Sequence, residues 1–279
     1  MNQALIQKVT GIQGTGPVIR RDVILTDYFV GHFDFNSTFC RNGYVSGPVP
    51  VNHRFRNLVD GGEDAVVTAA YTGLTTKGLR TSDGTGFLQL PASFRLPAGT
   101  EHFAFCIWAS YEGALPASGV LSLGGFSDGT ATDNQYAISA NTSGGVVSNI
   151  RGHAENAAVV APSGYWPKFD NGVMHQYVIE YEELPDDTAD RRLYIDGVLV
   201  ATYNFAVDGI LNDPEDPNVP GLGRLNQFIA DGFKGSYGRT WLVRPDLVEA
   251  PAVPELSVAQ IVRLDWDRYG AVPRFVEAA

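Results

Sequence analysis

Glu180 and Glu182, in the stretch "IEYEEL", are the residues of this 279-residue chain that come nearest to acid–base chemistry. On an extended strand, positions two apart share a face and lie roughly 6.5 Å from each other. That is close to the lower end of the separations at which two carboxyls cleave a glycosidic bond with inversion. No third polar residue at a matching spacing supports them. A polar, solvated strand face running into the acidic stretch "LPDDTAD" (Leu184–Asp190) accounts for both. No catalytic residue is therefore assigned.

Metal chemistry has equally thin support. Asp128 and Asp133 flank a turn in "SDGTATDNQ", and Asp213, Glu215 and Asp216 crowd a proline-rich loop. Neither set has the EF-hand spacing. Asp128 and Asp133 are the weak calcium candidates, and roles in Asx turns explain them without an ion. No other cofactor is expected. The histidines His32, His53, His102, His153 and His175 lack zinc spacing and partner cysteines. No serine nucleophile elbow and no phosphate-cradling loop is present. Tyr165 and Trp166, between prolines in "PSGYWPKFDNG", are candidates for an aromatic sugar-binding platform, and packing back onto the core is the competing reading. Cys40 and Cys106 are the only cysteines, and two buried free thiols are expected in preference to a disulfide.

These residues need a scaffold, and the composition points to strands. Hydrophobic residues make up 44% of the chain and aromatics 11%, with Gly and Pro plentiful. Short apolar runs recur between turn residues: "HFDF", "DAVVTAAY", "GFLQL", "FAFCIWA", "GVLSLG", "QYAISA", "GVVSNI" and "QYVIEY" among them. That pattern predicts a sandwich or barrel. "FAFCIWA" is apolar on both faces and reads as a central, doubly covered strand. In "HQYVIEY", Tyr177, Ile179 and Tyr181 make an apolar face, and Gln176, Val178 and Glu180 a more polar one. In "RRLYIDGVLVATYNF", Asp196-Gly197 predicts a type I′ hairpin whose side chains serve sheet packing. "LSVAQIVRLDWDRYG" predicts one helix at about 257–269, with Ser257 and Gln260 as a capping box, plugging one end of the sandwich.

The formal charge of −11 disfavours nucleic acid and anionic membranes as partners. The N-terminal residues lack the basic start and apolar core of a signal peptide, and no membrane insertion is expected. The chain is read as an N-terminal arm, residues 1–21, followed by one domain over residues 22–279.

The order of the segments resembles the laminin-G-like, concanavalin A-like jelly rolls. "SDGTGFLQLPASFRLPAGTEHFAFCIWAS" is similar to their turn, strand and Trp-containing aromatic strand. "MHQYVIEYEELPDDTADRRLYIDGVLVATY" resembles their paired strands and hairpin, and "FKGSYGRTWLVRPDLVEAPAVPELSVAQIVRL" their closing strand and helix. The resemblance covers about Asp22 to Gly270. It implies an all-β fold of two antiparallel sheets with one short C-terminal helix, and no particular activity. The Glu-x-Asp-x-x-Glu motif of glycosidases on this fold is absent.

Such folds are usually extracellular, and this chain has neither a secretion signal nor a catalytic set. Together these predict a non-enzymatic bacteriophage virion protein, made in the host cytoplasm. It would sit on tail, baseplate, collar or capsid, with the arm binding other virion proteins in a homo-oligomer or larger assembly. The alternatives are a carbohydrate-binding module or lectin that recognises cell-surface glycan, and a glycoside hydrolase.

Overall fold

A computed structural model describes residues 24–97, 99–127, 134–150, 159–207, 219–223, 232–247 and 256–270. The arm at residues 1–21, the calcium candidates Asp128 and Asp133, and Asp213, Glu215 and Asp216 lie outside the described residues. In chain order the strands are β1 (Phe29–Asp34), β2 (Arg54–Phe55), β3 (Ala65–Ala69), β4 (Gly73–Thr75), β5 (Gly78–Thr81), β6 (Phe87–Gln89), β7 (His102–Tyr111) and β8 (Val120–Ser127). They continue with β9 (Asn134–Asn141), β10 (Val146–Ile150), β11 (Val159–Val160), β12 (His175–Glu183), β13 (Thr188–Ile195), β14 (Val198–Ala206), β15 (Gly221–Gly223) and β16 (Gly235–Val243). One α-helix, α1 (Val258–Asp265), runs on into a π-helical turn at Trp266–Gly270.

The strands form two antiparallel sheets of eight. The first runs β14-β13-β12-β7-β16-β5-β4, with β1 also paired to β16. The second runs β11-β10-β9-β8-β15-β6-β3-β2. This is the sandwich that the strand pattern allowed beside a barrel, and the two-sheet jelly roll that the family resemblance implied. Between the sheets lies the main core, to which β7 contributes Phe103, Phe105 and Ile107, and β12 contributes Tyr177, Ile179 and Tyr181.

β7 sits between β12 and β16, and each of its faces packs into a core, as its unbroken apolar run predicts. The outward residues Ala104, Cys106 and Trp108 form a second core with Val258, Ile261 and Val262 of α1. The helix therefore lies on the outer face of the first sheet and does not plug an end. Its start is the expected capping box: Gln260 N donates to Ser257 Oγ at 3.3 Å and Ser257 N to Gln260 Oε1 at 2.9 Å. The polar face of β12 is buried at Gln176 (0% exposed) and Glu180 (3%), and stays partly open only at Glu182 near the strand's end. The solvated face read from the sequence is corrected accordingly. Cys40 and Cys106 are both free and buried, and burial pushes both thiols far above their ordinary range.

Below α1, side chains of four elements meet at one carboxylate. Asp265 is fully buried. Its Oδ2 accepts from Trp108 Nε1 (2.7 Å), Trp241 Nε1 (2.9 Å) and Gln176 Nε2 (2.9 Å). Its Oδ1 accepts from Arg239 Nη1. The Arg239 guanidinium lies 4.0 Å from the Tyr269 ring centroid, and the Tyr269 hydroxyl donates to Asp34 Oδ1 at 3.0 Å or Gly238 O at 2.8 Å. An irregularity in the β16 register between Tyr237 and Arg239 makes the arrangement possible. One extra residue inverts the strand's phase, so Tyr237 faces the main core while Trp241 and Val243 face α1.

Removing one partner from a buried charge cluster strands the others without water. Asp265→Asn would set an amide NH₂ among four donors. We expect it to cost about 3–5 kcal/mol, read as a lower urea midpoint. An unchanged midpoint would mean that apolar packing alone holds the helix.

Candidate functional site: a carboxylate-lined cavity beside the helix

Away from Trp108, the outer face of the first sheet turns polar. Register brings its residues together. Glu180 on β12 stands opposite Arg192 on β13, and Glu182 stands opposite both His102 on β7 and Asp190 on β13. The start of α1, with Tyr28, Pro245 and Leu256, walls this surface into a cavity of about 340 Å³ lined also by His102, Glu180, Glu182, Arg192 and Tyr194. A second cavity of about 650 Å³, bounded by Arg54, Glu63, Asp64 and Gln89, has Arg54 and Glu63 exposed at its surface. Desolvated, preorganised charge distinguishes the first.

Glu180 has three partners. Tyr194 Oη donates to its Oε2 at 2.5 Å, His102 Nε2 lies 3.1 Å from Oε1, and Arg192 Nη1 lies 3.4 Å from Oε1. Burial pushes this carboxyl up. The hydrogen bonds from His102 and Tyr194, with the Arg192 charge, outweigh burial and hold it below its ordinary range. Burial and the Glu180 charge drive the Tyr194 phenol well above its own range. Arg192 is shared further: Nη1 donates to Glu182 Oε2 at 2.6 Å and Nη2 to Asp190 Oδ2 at 2.5 Å. His102, Glu180 and Glu182 could together offer a metal three ligand atoms within 4.8 Å of one another. The Arg192 guanidinium, however, already bridges the two carboxylates, so the protein supplies its own cation there.

The hairpin turn carries a second polar cluster. Asp196 and Gly197 have φ of 55° and 76°, the left-handed pair a type I′ turn requires. His175 Nδ1 lies 2.9 Å from Asp196 Oδ2, and Lys168 Nζ donates to the same oxygen at 2.6 Å. Burial pushes the Asp196 carboxyl up, and His175 and Lys168 pull it below its ordinary range. The other ring nitrogen of His175 lies 3.2 Å from Asn171 Nδ2, and among the described residues no hydroxyl or thiol is paired with it. This cluster fastens the turn to β12. The expectation that hairpin side chains serve sheet packing alone is corrected here: Asp196 anchors a polar cluster, and Arg192 and Tyr194 line the cavity.

Tyr165 and Trp166 are not brought into the cavity. They lie half-buried on a 3₁₀ turn at Ser163–Lys168, where Trp166 Nε1 donates to Ala161 O at 2.8 Å. The sequence reading found Glu180 and Glu182 but missed His102, Arg192 and Tyr194. The available signal was the shared strand parity of Arg192 and Tyr194.

No family model and no curated protein sequence matches the chain. Solved structures do. Trypanosoma rangeli sialidase in complex with 2,3-difluoro-KDN is 14% identical, covering 87% of this chain and 33% of that chain at a TM-score of 0.53. The same sialidase in complex with sialic acid is 14% identical over 90% of this chain and 35% of that chain, also at 0.53. Ruminococcus gnavus IT-sialidase CBM40 is 18% identical over 66% of this chain and 93% of that chain, with a TM-score of 0.45. The chain thus spans about a third of the length of the sialidases it matches. The sialidase likeness shows the fold, a β-sandwich of the concanavalin A-like kind. It also corrects the expectation of a bacteriophage virion protein. That reading leaned on the fold, and the sandwich is here shared with sialidases; nothing in them supports a phage origin or a place in a particle.

The lowered carboxyls set a pH dependence. Glu180 and Asp196 lose their protons more readily folded than unfolded. Their contribution to stability is complete above the unfolded values, 4.5 for Glu180 and 3.8 for Asp196, and is lost as pH falls through the folded values. The melting temperature should fall on acidification below about pH 4.5, and less steeply in Glu180→Gln. Identical acid limbs in the two proteins would remove Glu180 from that dependence.

Proposed function

We propose that the chain is a non-catalytic glycan-binding module whose ligand occupies the Glu180 cavity. The observation that carries this reading is the cavity itself. It has fixed ionised acceptors on the sheet and the half-buried Tyr28 on the opposite wall. Its volume of about 340 Å³ lies at the small end of ligand sites, room for a sugar unit. Carboxylates accept hydroxyl hydrogens, and an aromatic ring takes the apolar face of a sugar. An apolar ligand would leave Glu182 Oε1, which accepts from no described residue, without a donor. The fold likeness assigns no ligand by itself, but a sandwich that also occurs within sialidases suits a role in glycan recognition.

The protonation of Glu180 supports the non-catalytic half of the proposal. Cleaving a glycosidic bond needs one carboxyl kept protonated as the acid. Tyr194, His102 and Arg192 hold the Glu180 carboxyl below its ordinary range, which unfits Glu180 for the role of that acid. The sugar-platform candidates Tyr165 and Trp166 lie outside this cavity and are not needed by the reading.

A glycan array on the full chain, followed by calorimetric titration of any hit, tests the proposal. Tyr28→Ala and Glu182→Ala should each weaken a hit about tenfold or more, as expected when a contact of about 1.5 kcal/mol is lost. An array without hits would remove the reading. Hydrolysis of a bound glycan, abolished in Glu180→Gln, would overturn its non-catalytic half.

A further inference from the structure

We infer that the ligand of this cavity is a saccharide without an anionic group, so that sialylated glycans are excluded although the matched structures include sialidases. This rests on the glycan-binding reading and narrows it. Three carboxylates, Glu180, Glu182 and Asp190, surround one guanidinium. Arg192 faces Glu182 Oε2 at 2.6 Å and Glu180 Oε1 at 3.4 Å through Nη1, and Asp190 Oδ2 at 2.5 Å through Nη2. Recognising a sugar carboxylate takes an arginine fork with open donors. Here the protein's own carboxylates occupy the fork, and the site keeps an excess of negative charge.

Among the described residues no other arginine and no lysine lines the cavity. Arg244, beside the lining residue Pro245, is bound bidentately by Asp246, with Nε and Nη2 each 2.7 Å from a carboxylate oxygen. His102 directs Nε2 at Glu180. At the start of α1, Ser257 Oγ takes the Gln260 N–H, so the helix has only the partial charge of its remaining N–H groups to set against three carboxylates. The whole chain, at −11, steers anions away as well.

The groups left for a ligand suit hydroxyls. Glu182 is about a third exposed, and its Oε1 accepts from no described residue. Gln260 lines the cavity with its Nε2 donating to no described residue. An acceptor and a donor at one rim match a neutral sugar's hydroxyl pair.

The test is an array that carries each neutral glycan core beside its sialylated form, probed with the full chain and followed by titration of matched pairs. Binding should be confined to neutral cores, with the sialylated partner at least tenfold weaker. Glu182→Gln, which releases part of Arg192, should narrow that gap several-fold while the melting temperature certifies the fold. Equal or tighter binding of sialylated forms would overturn the charge exclusion and leave the glycan reading standing. Binding to neither class would overturn the glycan reading, and this inference with it.

Discussion

The structure depends on a single buried carboxylate. Asp265 gathers two indole N–H groups, a glutamine amide and a guanidinium, and those donors belong to β7, β16 and β12. Each is a polar group on an otherwise apolar sheet face, and each would be costly to bury alone. The aspartate arrives from the end of α1, so the helix cannot slide or lift without orphaning all of them together. Such a cluster contributes little net stability compared with an apolar seam, since every charge in it was first desolvated. What it does supply is position. An apolar helix face tolerates rotation by part of a turn; a carboxylate with directional donors on both oxygens does not.

Position matters because the same helix walls the cavity. The C-terminal end of α1 is fixed over Trp108 and Trp241, and its N-terminal end then stands beside His102, Glu180 and Arg192. The helix thereby divides the outer face of the sheet into an apolar half it covers and a polar half it borders. On the polar half, Arg192 links Glu180, Glu182 and Asp190, and long side chains that would wander at the surface are held in one arrangement. A site built on paired strands under a pinned helix is more rigid than one built on loops.

Much of this was legible in the residues, and the boundary of legibility has a physical cause. The double-sided apolar run of β7 gave its central place, Asp196-Gly197 gave the hairpin, and Ser257 with Gln260 gave the helix start, because each is a local signal with a local mechanism. Glu180 and Glu182 were visible as a same-face pair for the same reason. The polar face of β12 was misread as solvated because burial there depends on a helix about 80 residues away in sequence, and no strand periodicity reports what lies on top of it. Arg192, Tyr194 and His102 join the site through cross-strand register, which the alternation of one strand alone does not determine. The irregularity at Gly238 was equally hidden: a strict alternation read through "GSYGRTWLV" puts Tyr237 and Trp241 on one face, whereas they face opposite cores.

The virion reading failed at a different step. It took a fold that hosts many functions, added the lack of a secretion signal, the lack of a catalytic set and an N-terminal arm, and converted these non-specific observations into a specific role. Chemistry of a site discriminates better than architecture does. Glu180 shows why: the same carboxyl on a bare strand edge would be a surface charge, and in an apolar pocket it would be a poised acid. Between Tyr194, His102 and Arg192 it is a fixed anion. A fixed anion serves neither as proton donor nor as an anchor for another anion, and with both of its oxygens engaged it leaves the open acceptor at this surface to Glu182. The partners of one side chain therefore say more about the proposed role than the sixteen described strands do.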